Sequence, residues 1–323
     1  MAIIRKNDVV KERPVIIVLY GTPGTGKTSL ATTAESPLLI DTDRGFDRAV
    51  QRPDVVITAS KWEDIYNEDV IGKYVVQNNI QVWQAGLISE CKTIVVDTAK
   101  AMLDDYLSAY AIKQDYKLEK NSLKRYGAIG DMFKNFVNVL RANNSDIIFI
   151  CHDKETQEGD VVKHSPDCTG QSKDLLIRIA DQVGYICKEN NNRVIKFEPV
   201  DNRVGKNVAE IPDTWIPNYG TSEFDNCMAS IINKVKSAIV KKSDAQVEAQ
   251  KNIESARRKL REANTVEDAN NLISVAHGLA KIHKKAFMEQ MIKELSEKGI
   301  DFDKKSKTFV KHGEEASDSG NVA

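Results

Sequence analysis

The sequence has no long apolar run and few cysteines, and each shortage excludes a class of protein. No apolar stretch reaches the roughly 18 residues that a membrane-spanning helix needs. The start, Met-Ala-Ile-Ile-Arg-Lys, lacks the apolar run of a signal peptide. The five cysteines show neither a CxxC pair nor a metal-ligand spacing, which is typical of a reducing compartment. We therefore expect a soluble, cytoplasmic protein without a membrane partner.

An excess of one charge is also missing. The 323 residues include 46 Lys+Arg and 47 Asp+Glu, for a formal net charge of -1. Net charge therefore neither predicts nor excludes a nucleic-acid partner, and only local patches can indicate one. Hydrophobic residues make up 41% of the chain, which is enough for a sizeable core.

Short β-branched runs alternate with helical patterns between residues 14 and 200. The runs at 16–19, 94–96 and 147–150 are apolar without alternation, which indicates strands buried on both faces. This order predicts an α/β domain with a mostly parallel twisted sheet flanked by helices. The predicted strands are 15–20, 38–41, 55–59, 93–97, 147–151, 182–187 and 193–198, and the predicted helices are 27–35, 61–88, 99–116, 128–142 and 172–180.

The character of the sequence changes after Trp215. Residues 223–297 contain no proline, and their apolar residues recur at helical spacing. Thr265 followed by Asp268 resembles a capping box at a helix start. We divide the chain into an N-terminal arm (1–13), the α/β core (14–222), a C-terminal helical region (223–300) and a polar tail predicted to be disordered (301–323).

A phosphate-binding loop is predicted directly after the first buried strand. The pattern Gly-x4-Gly-Lys-Thr occupies residues 21–28, between a strand and a helix, as this motif requires. Lys27 is predicted to reach the β- and γ-phosphates of ATP, and the Thr28 hydroxyl to ligate Mg²⁺. The predicted nucleotide-binding residues are Gly21, Thr22, Pro23, Gly24, Thr25, Gly26, Lys27, Thr28 and Ser29.

A second element supports this prediction. Residues 93–97 read as an apolar strand that ends in an acid, the pattern of a Walker B motif. Asp97 is predicted to hold the Mg²⁺, through a water molecule. A strand that ends in Asp also occurs as a simple turn acceptor, and only the upstream phosphate loop favours the functional interpretation.

Four segments resemble the RecA/RadA recombinase core, in the same order and at comparable spacing. They are 39–46 (Leu-Ile-Asp-Thr-Asp-Arg-Gly-Phe), 94–98 (Ile-Val-Val-Asp-Thr), 148–152 (Ile-Phe-Ile-Cys-His) and 169–173 (Thr-Gly-Gln-Ser-Lys). The chain is most similar to the compact RecA-core ATPases of bacteriophages that act in single-strand annealing. The resemblance implies a RecA-like ATPase core at 14–222 and, for a phage-encoded protein, a location in the host cytoplasm.

The resemblance also implies roles for two strand-end residues. Asp43 stands where the family has a catalytic carboxylate, usually Glu, that orients or deprotonates the attacking water. His152 stands where the family senses the γ-phosphate, usually with Gln. Both departures leave alternatives open: Asp41 could share the catalytic role, both acids could merely cap the turn before Arg44, and His152 could be a polar strand cap.

Residues 201–206 (Asp-Asn-Arg-Val-Gly-Lys) resemble a RadA-type motif that reaches the nucleotide of the neighbouring subunit. Arg203 or Lys206 would then stabilise transition-state charge in trans, as an arginine finger does. The alternative is a charged hairpin turn. The resemblance implies a homo-oligomer, either a ring or a filament.

Two stretches, 113–126 and 153–173, lie where the family places its DNA-binding loops. Cations that neutralise phosphates and tyrosines that stack on unpaired bases together suit single-stranded DNA. The candidates are Lys113, Tyr116, Lys117, Lys120, Lys124, Arg125 and Tyr126 in the first stretch, and Lys154, Lys163 and Lys173 in the second. A basic run is also common on a solvated helix face, and the second stretch carries enough acids to be a moving lid instead.

The sequence thus favours a DNA-stimulated ATPase that acts on single-stranded DNA in phage-type recombination or annealing. A single-strand-binding protein is a candidate partner for the helical region. The alternative is a nucleotide-dependent switch or loader that recruits a replication protein through that helical region and has no recombinase activity. DNA-stimulated turnover separates the two.

Overall fold

The structure, a computed structural model, describes residues 12–50, 53–77 and 80–313. The chain divides into two compact units. The first is Glu12–Ile239, and the second takes in residues 240–313 of the described chain. The predicted N-terminal arm therefore lies almost entirely outside the described residues, as do positions 314–323 of the predicted tail.

The first unit is built on a sheet with the order β12-β10-β9-β1-β7-β6-β2-β3, with β11 paired to β9 and β8 to β7. The strands of the chain are β1 (Ile16–Gly21), β2 (Pro37–Asp41), β3 (Val55–Thr58), β4 (Gly72–Gln77), β5 (Ile80–Ala85), β6 (Thr93–Asp97), β7 (Asp146–Glu158), β8 (Val161–Pro166), β9 (Gln182–Glu189), β10 (Asn192–Lys196), β11 (Lys206–Asn207), β12 (Thr214–Ile216), β13 (Ile300–Asp303) and β14 (Thr308–Lys311). The six strands from β9 to β3 in this order are all parallel, and β10 to β12 are antiparallel additions.

Helices cover both faces of the sheet. The α-helices are α1 (Lys27–Ala31), α2 (Trp62–Ile65), α3 (Glu68–Ile71), α4 (Ser108–Gln114), α5 (Ser122–Ala142), α6 (Gly170–Ile179), α7 (Ser222–Asp225), α8 (Cys227–Glu262), α9 (Val266–Gly278) and α10 (Lys281–Ser296). A π-helical stretch, Ala101–Leu107, runs directly into α4.

Strand β1 shows why the parallel strands are apolar without alternation. Ile16 and Val18 pack into one core with Phe133 of α5, whereas Ile17 packs into a second core with Leu30 of α1. Side chains that point to opposite faces are therefore buried on both sides. The predicted α/β class, with a mostly parallel sheet, flanking helices and a C-terminal helical segment, is confirmed.

The prediction of a helix at 61–88 is wrong. In the described part of that range the α-helices are the short α2 and α3, and a separate antiparallel hairpin of β4 and β5 follows them. Its residues are rich in β-branched and aromatic side chains, which favour strands. Tyr74 and Trp83 are cross-strand partners whose ring centroids lie 5.0 Å apart. Such a pair stabilises a hairpin rather than a helix.

The second predicted DNA stretch is also more ordered than expected. Strand β7 continues to Glu158 and turns back as β8, so most of 153–173 is a β-hairpin followed by the start of α6. The predicted strand ended at 151 because the residues beyond it are polar. Their backbone groups nevertheless pair with β8, and this pairing does not require burial.

The second unit has a hydrophobic core of its own. Leu272 of α9, Phe287 of α10 and Ile253 of α8 are buried in it. The predicted capping box is confirmed, since the Thr265 hydroxyl accepts from the Asp268 backbone amide and the Asp268 carboxylate accepts from the Thr265 amide.

The prediction of a disordered tail from 301 is wrong for the described residues up to 313. Strands β13 and β14 form a hairpin there, and Ile300 and Phe309 are buried against α9 and α10. The Asn270 side chain exchanges hydrogen bonds of 3.0 and 2.8 Å with the backbone of Phe309. Isolated apolar residues in a polar context gave too weak a pattern for this hairpin to be predicted.

None of the helices in the described ranges combines the length and the apolar character needed to traverse a bilayer.

Replacing Phe309 tests whether the hairpin belongs to the second unit. Phe309→Ala removes a side chain that is 1% exposed, so we expect the opening free energy of α9 and α10 to fall by about 3 kcal/mol or more. Amide hydrogen exchange on the full chain measures this change. Ile282→Ala is the control, because Ile282 is 81% exposed and its removal should cost less than about 0.5 kcal/mol. Unchanged exchange in Phe309→Ala would contradict the packing.

Candidate functional site

The carboxyl ends of four parallel strands meet at one edge of the sheet. Gly21 at the end of β1 pairs with His152 of β7, and Asp97 at the end of β6 pairs with Asp41 of β2. Ligand sites of open α/β sheets lie at this edge. The predicted phosphate loop, Walker B acid and sensor residues are therefore brought together by the sheet register.

The phosphate loop links β1 to α1. Gly24 and Gly26 have φ angles of 77° and 84°, a left-handed conformation that glycine adopts without strain. A Cβ on Gly21 would lie 2.4 Å from the carbonyl oxygen of Ile186, so the neighbouring strand also requires glycine at that position. The Thr25 hydroxyl donates to the Thr22 carbonyl at 2.9 Å and closes the loop.

Lys27 opens α1 and is buried. Its Nζ donates to the carbonyl oxygens of Gly21 and Thr22, each at 2.9 Å, so the ammonium bridges the start of its own loop. Burial lowers its pKa, because a desolvated ammonium is less stable than a hydrated one. An anion in the loop would compensate for that cost, which is the role predicted for a nucleotide phosphate.

Thr28 and Asp97 form the candidate metal site. The Thr28 hydroxyl donates to Asp97 Oδ2 at 2.5 Å. Burial raises the pKa of Asp97 to about 6; the hydrogen bond from Thr28 opposes this shift, and Asp43 adds to it. A hydroxyl and a carboxylate are hard oxygen ligands of the kind that Mg²⁺ prefers. The donor set therefore fits Mg²⁺, whose charge would stabilise the buried carboxylate.

Asp43 and His152 lie side by side at the solvent boundary. His152 Nε2 is 3.4 Å from Asp43 Oδ2, and the Thr98 hydroxyl donates to Asp43 Oδ1 at 3.3 Å. Both the Asp43 and the His152 side chains are 40% exposed. The contact with His152 lowers the pKa of Asp43, so the carboxylate is ionised at neutral pH. The structure thus brings the two strand-end candidates together, and their catalytic roles stay predictions.

Asp41 and Asp43 occupy different environments. Asp41 is buried, and its carboxylate accepts hydrogen bonds from the Gly45 and Phe46 amides at 3.1 and 3.0 Å. Asp41 is therefore the turn cap. Of these two acids, Asp43 is the one whose carboxylate reaches solvent, as a water-activating group requires.

Sequence reasoning missed two residues that pack against the phosphate loop. A Cβ on Gly26 would lie 2.1 Å from the Tyr219 hydroxyl and 2.8 Å from Arg193 Nη1. The Arg193 guanidinium lies 3.8 Å from the Tyr219 ring centroid and donates to the Pro217 carbonyl at 2.6 Å. Arg193 is buried, and its Nη1 has no hydrogen-bond partner among the described residues. No local motif marks either residue, because each reaches the loop only through the sheet.

The two trans-subunit candidates make contacts within their own chain. Lys206 Nζ donates to the carbonyl oxygens of Ile177 and Arg178 at 3.1 Å each, and so caps the carboxyl end of α6. The Arg203 side chain donates to the Glu198 carbonyl at 3.1 Å, and its backbone forms an isolated β-bridge with the backbone of His164. These contacts fit the alternative of a charged turn, and a trans role for either residue stays a prediction.

The first DNA stretch divides into paired and exposed cations. Lys113 Nζ lies 2.6 Å from a carboxylate oxygen of Glu63, and Arg125 contacts the Tyr126 ring at 5.7 Å. Tyr126 packs against the core, so its ring is not open for stacking on a base. Lys113 is exposed in spite of this pair, and the other exposed members of the stretch are Tyr116, Lys117, Lys120 and Lys124.

The second DNA stretch is less favourable for binding a polyanion. Lys163 pairs with Glu158 across the β7–β8 hairpin, and Lys173 is partly buried at the start of α6. Lys154 remains exposed. One accessible cation in a segment with five acids gives little attraction for phosphates.

Comparison with known proteins identifies a domain family. The model of a family described as an AAA domain matches residues 13–208, which is more than half of the chain. Among solved structures, the crystal structure of the RadB recombinase is similar with 15% sequence identity and a TM-score of 0.32. The likeness covers 58% of this chain and 84% of that chain. No curated protein matches this chain.

The pKa of Asp97 predicts a pH dependence. The carboxyl takes up a proton as the pH falls through about 6, and a protonated carboxyl is a poor ligand for Mg²⁺. We expect Mg²⁺-dependent ATP binding to weaken about tenfold for each further pH unit below that value. Titrating the protein with a fluorescent ATP analogue, once in Mg²⁺ and once in EDTA, measures the Mg²⁺-dependent component of the ATP affinity.

Asp97→Asn is the control, since it should remove the Mg²⁺-dependent component at every pH. The raised pKa also has a consequence for stability: without metal, the fold should lose stability as the pH rises from about 4 to about 6, because the ionised form is disfavoured by burial. If Mg²⁺ strengthens ATP binding equally at about pH 5 and about pH 7, the predicted role of Asp97 is contradicted.

Proposed function

The chain belongs to the AAA-domain family, and from that premise we propose that it hydrolyses ATP with Mg²⁺ while acting on single-stranded DNA, in recombination or annealing of the phage type. One observation carries the ATPase part of the proposal. The cation Lys27, the metal-ligand pair Thr28–Asp97 and the exposed base candidate Asp43 lie at the carboxyl ends of neighbouring parallel strands. Phosphoryl transfer requires this combination of groups.

The phosphate loop binds the nucleotide. Backbone N–H groups of the loop, in which only Pro23 lacks one, and the Lys27 ammonium would surround the phosphates, and Gly24 and Gly26 allow the backbone to turn toward them. Thr28 and Asp97 would hold the Mg²⁺, and the ion would supply positive charge to neutralise the phosphates. Arg193 and Tyr219 pack against Gly26 and restrict the movement of that turn.

Asp43 positions the attacking water. Its carboxylate is ionised and reaches solvent, while Thr98 and His152 fix its orientation through contacts of 3.3 and 3.4 Å. His152 also ends the buried part of β7 and continues directly into the β7–β8 hairpin. A movement of His152 on contact with the γ-phosphate would therefore be transmitted along β7 to the hairpin, which supports the sensor role.

The exposed part of the first stretch supports single-stranded DNA as the partner. Tyr116 is 75% exposed, and the exposed lysines at 117, 120 and 124 follow it in the chain. An exposed ring among cations suits an unpaired base with its phosphates. Assembly into a ring or a filament remains part of the proposal, with Arg203 as the residue that would face a neighbouring subunit.

One observation favours the alternative function. The C-terminal unit has its own buried core, formed by residues of α8, α9, α10 and the β13–β14 hairpin. A separately packed unit suits recruitment of a replication protein or a single-strand-binding protein. In that case the ATPase would respond to the protein partner rather than to DNA.

Turnover of ATP with and without single-stranded DNA decides between these functions. We expect DNA to raise turnover, and the triple variant Lys117→Gln, Lys120→Gln, Lys124→Gln to lose that stimulation. Its DNA affinity should also lose about two units of salt slope, because three phosphate contacts disappear. Phosphate release and DNA binding at several salt concentrations are the measurements.

A matched control removes the same charge elsewhere. Lys304→Gln, Lys305→Gln, Lys307→Gln changes three exposed lysines of the β13–β14 turn and should leave DNA stimulation intact. If the two triple variants behave alike, the proposed DNA surface is wrong. If wild-type turnover ignores DNA, the switch or loader becomes the better account.

A further inference from the structure

The base of the β7–β8 hairpin brings two acids and a histidine onto one face. Glu155 and His164 are direct cross-strand partners, and Asp153 lies two residues before Glu155. Side chains alternate between the faces of a strand, so Asp153 and Glu155 share a face with His164. One oxygen or nitrogen atom from each of the three side chains lies within 4.8 Å of the other two.

The neighbours of Asp153 do not fully compensate for the free-energy cost of burying its carboxylate. Its side chain is 1% exposed. Oδ2 lies 2.6 Å from His164 Nδ1 and accepts from the Tyr185 hydroxyl at 3.5 Å. Oδ1 has no hydrogen-bond partner among the described residues. A buried carboxylate oxygen without a partner is costly, and a cation would remove that cost.

The nearby Arg203 forms no ion pair with Asp153 among the described residues. Arg203 forms a backbone bridge with His164, but its Nη2 donates to the Glu198 carbonyl at 3.1 Å. Within the described part of the chain, His164 is the only group in an ion pair with Asp153. The unpartnered oxygen is therefore available to a bound ion.

We propose that Asp153, Glu155 and His164 form a binding site for a divalent transition-series cation, with Zn²⁺ as the best fit. Imidazole and carboxylate are ordinary zinc ligands at about 2.0–2.2 Å, and three protein ligands leave a fourth position for water. Ligand atoms of a tetrahedral zinc lie about 3.3 Å apart. The 2.6 Å contact between Asp153 Oδ2 and His164 Nδ1 would therefore widen, and the separations of up to 4.8 Å would shorten, through small side-chain movements. Glu155 is exposed and free of the core, and it makes the largest movement.

The site is separate from the candidate Mg²⁺ site. Asp153 follows His152 directly, but the two side chains point to opposite faces of β7. Asp153 lies on the face where Tyr185 packs against Tyr20, at a ring-centroid distance of 5.1 Å. A bound cation would link the two strands at the base of the hairpin, β7 through Asp153 and Glu155 and β8 through His164.

Metal binding by the full, nucleotide-free chain tests the proposal. The protein is stripped with a chelator, and its Zn²⁺ affinity is measured by competition with a chromophoric chelator, together with the bound metal per chain. We expect one zinc in the wild type, and at least about tenfold weaker binding in Glu155→Gln and in His164→Gln. Co²⁺ should give the visible absorption of a tetrahedral site in the wild type but not in Glu155→Gln.

Two controls identify the site. His312→Gln removes a histidine that also contacts a carboxylate, Asp301, at 2.5 Å, but on the surface of the second unit. Asp97→Asn removes the candidate Mg²⁺ ligand. Both variants should keep the zinc. Because Glu155 is exposed, Glu155→Gln should fold normally, which circular dichroism verifies. No zinc in the wild type, or equal affinity in folded Glu155→Gln, would overturn the proposal.

Discussion

The parallel register of β1, β7, β6 and β2 is the constraint on which the candidate site depends. It pairs Gly21 with His152 and Asp41 with Asp97, so four strand ends that are distant in sequence meet at one edge. The register is well determined because β1 is buried on both faces, and a slip of one residue would exchange the side chains of its two cores. Every functional group of the site is positioned by that pairing rather than by a local motif alone.

The pKa shifts of the site residues depend on how deeply each side chain is buried. Lys27 and Asp97 are buried, and burial lowers the pKa of the lysine and raises that of the acid, so each charge is disfavoured by its surroundings. A phosphate anion and a divalent cation would compensate these two costs together. Asp43 lies farther out, where contact with His152 lowers its pKa and keeps it ionised. In the proposed function, buried groups would bind the nucleotide and its metal, and the more exposed Asp43 would activate water at the same edge of the sheet.

Local sequence predicted the features that depend on local physics. The glycine pattern of the phosphate loop and the buried parallel strands both required specific residue types, and both are present in the structure. The hairpin of β13 and β14 was missed because its apolar residues are few and lie among polar ones, whereas that of β4 and β5 was missed although its strands are rich in β-branched and aromatic residues. Arg193 and Tyr219 could not be predicted, because their contact with Gly26 depends on how β10 and the segment after β12 are placed beside β1. The choice between Asp41 and Asp43 likewise required the observed hydrogen bonds.

The central claim is that Asp43 activates water beside a nucleotide held by the phosphate loop. The most direct test is single-turnover release of phosphate from ATP at saturating enzyme, with ATP binding measured separately. Asp43→Asn should slow the chemical step by at least about a hundredfold and leave the ATP dissociation constant within about threefold. Asp47→Asn, a change at an exposed aspartate of the same segment, should alter neither quantity. Wild-type rates of phosphate release in Asp43→Asn would contradict the account.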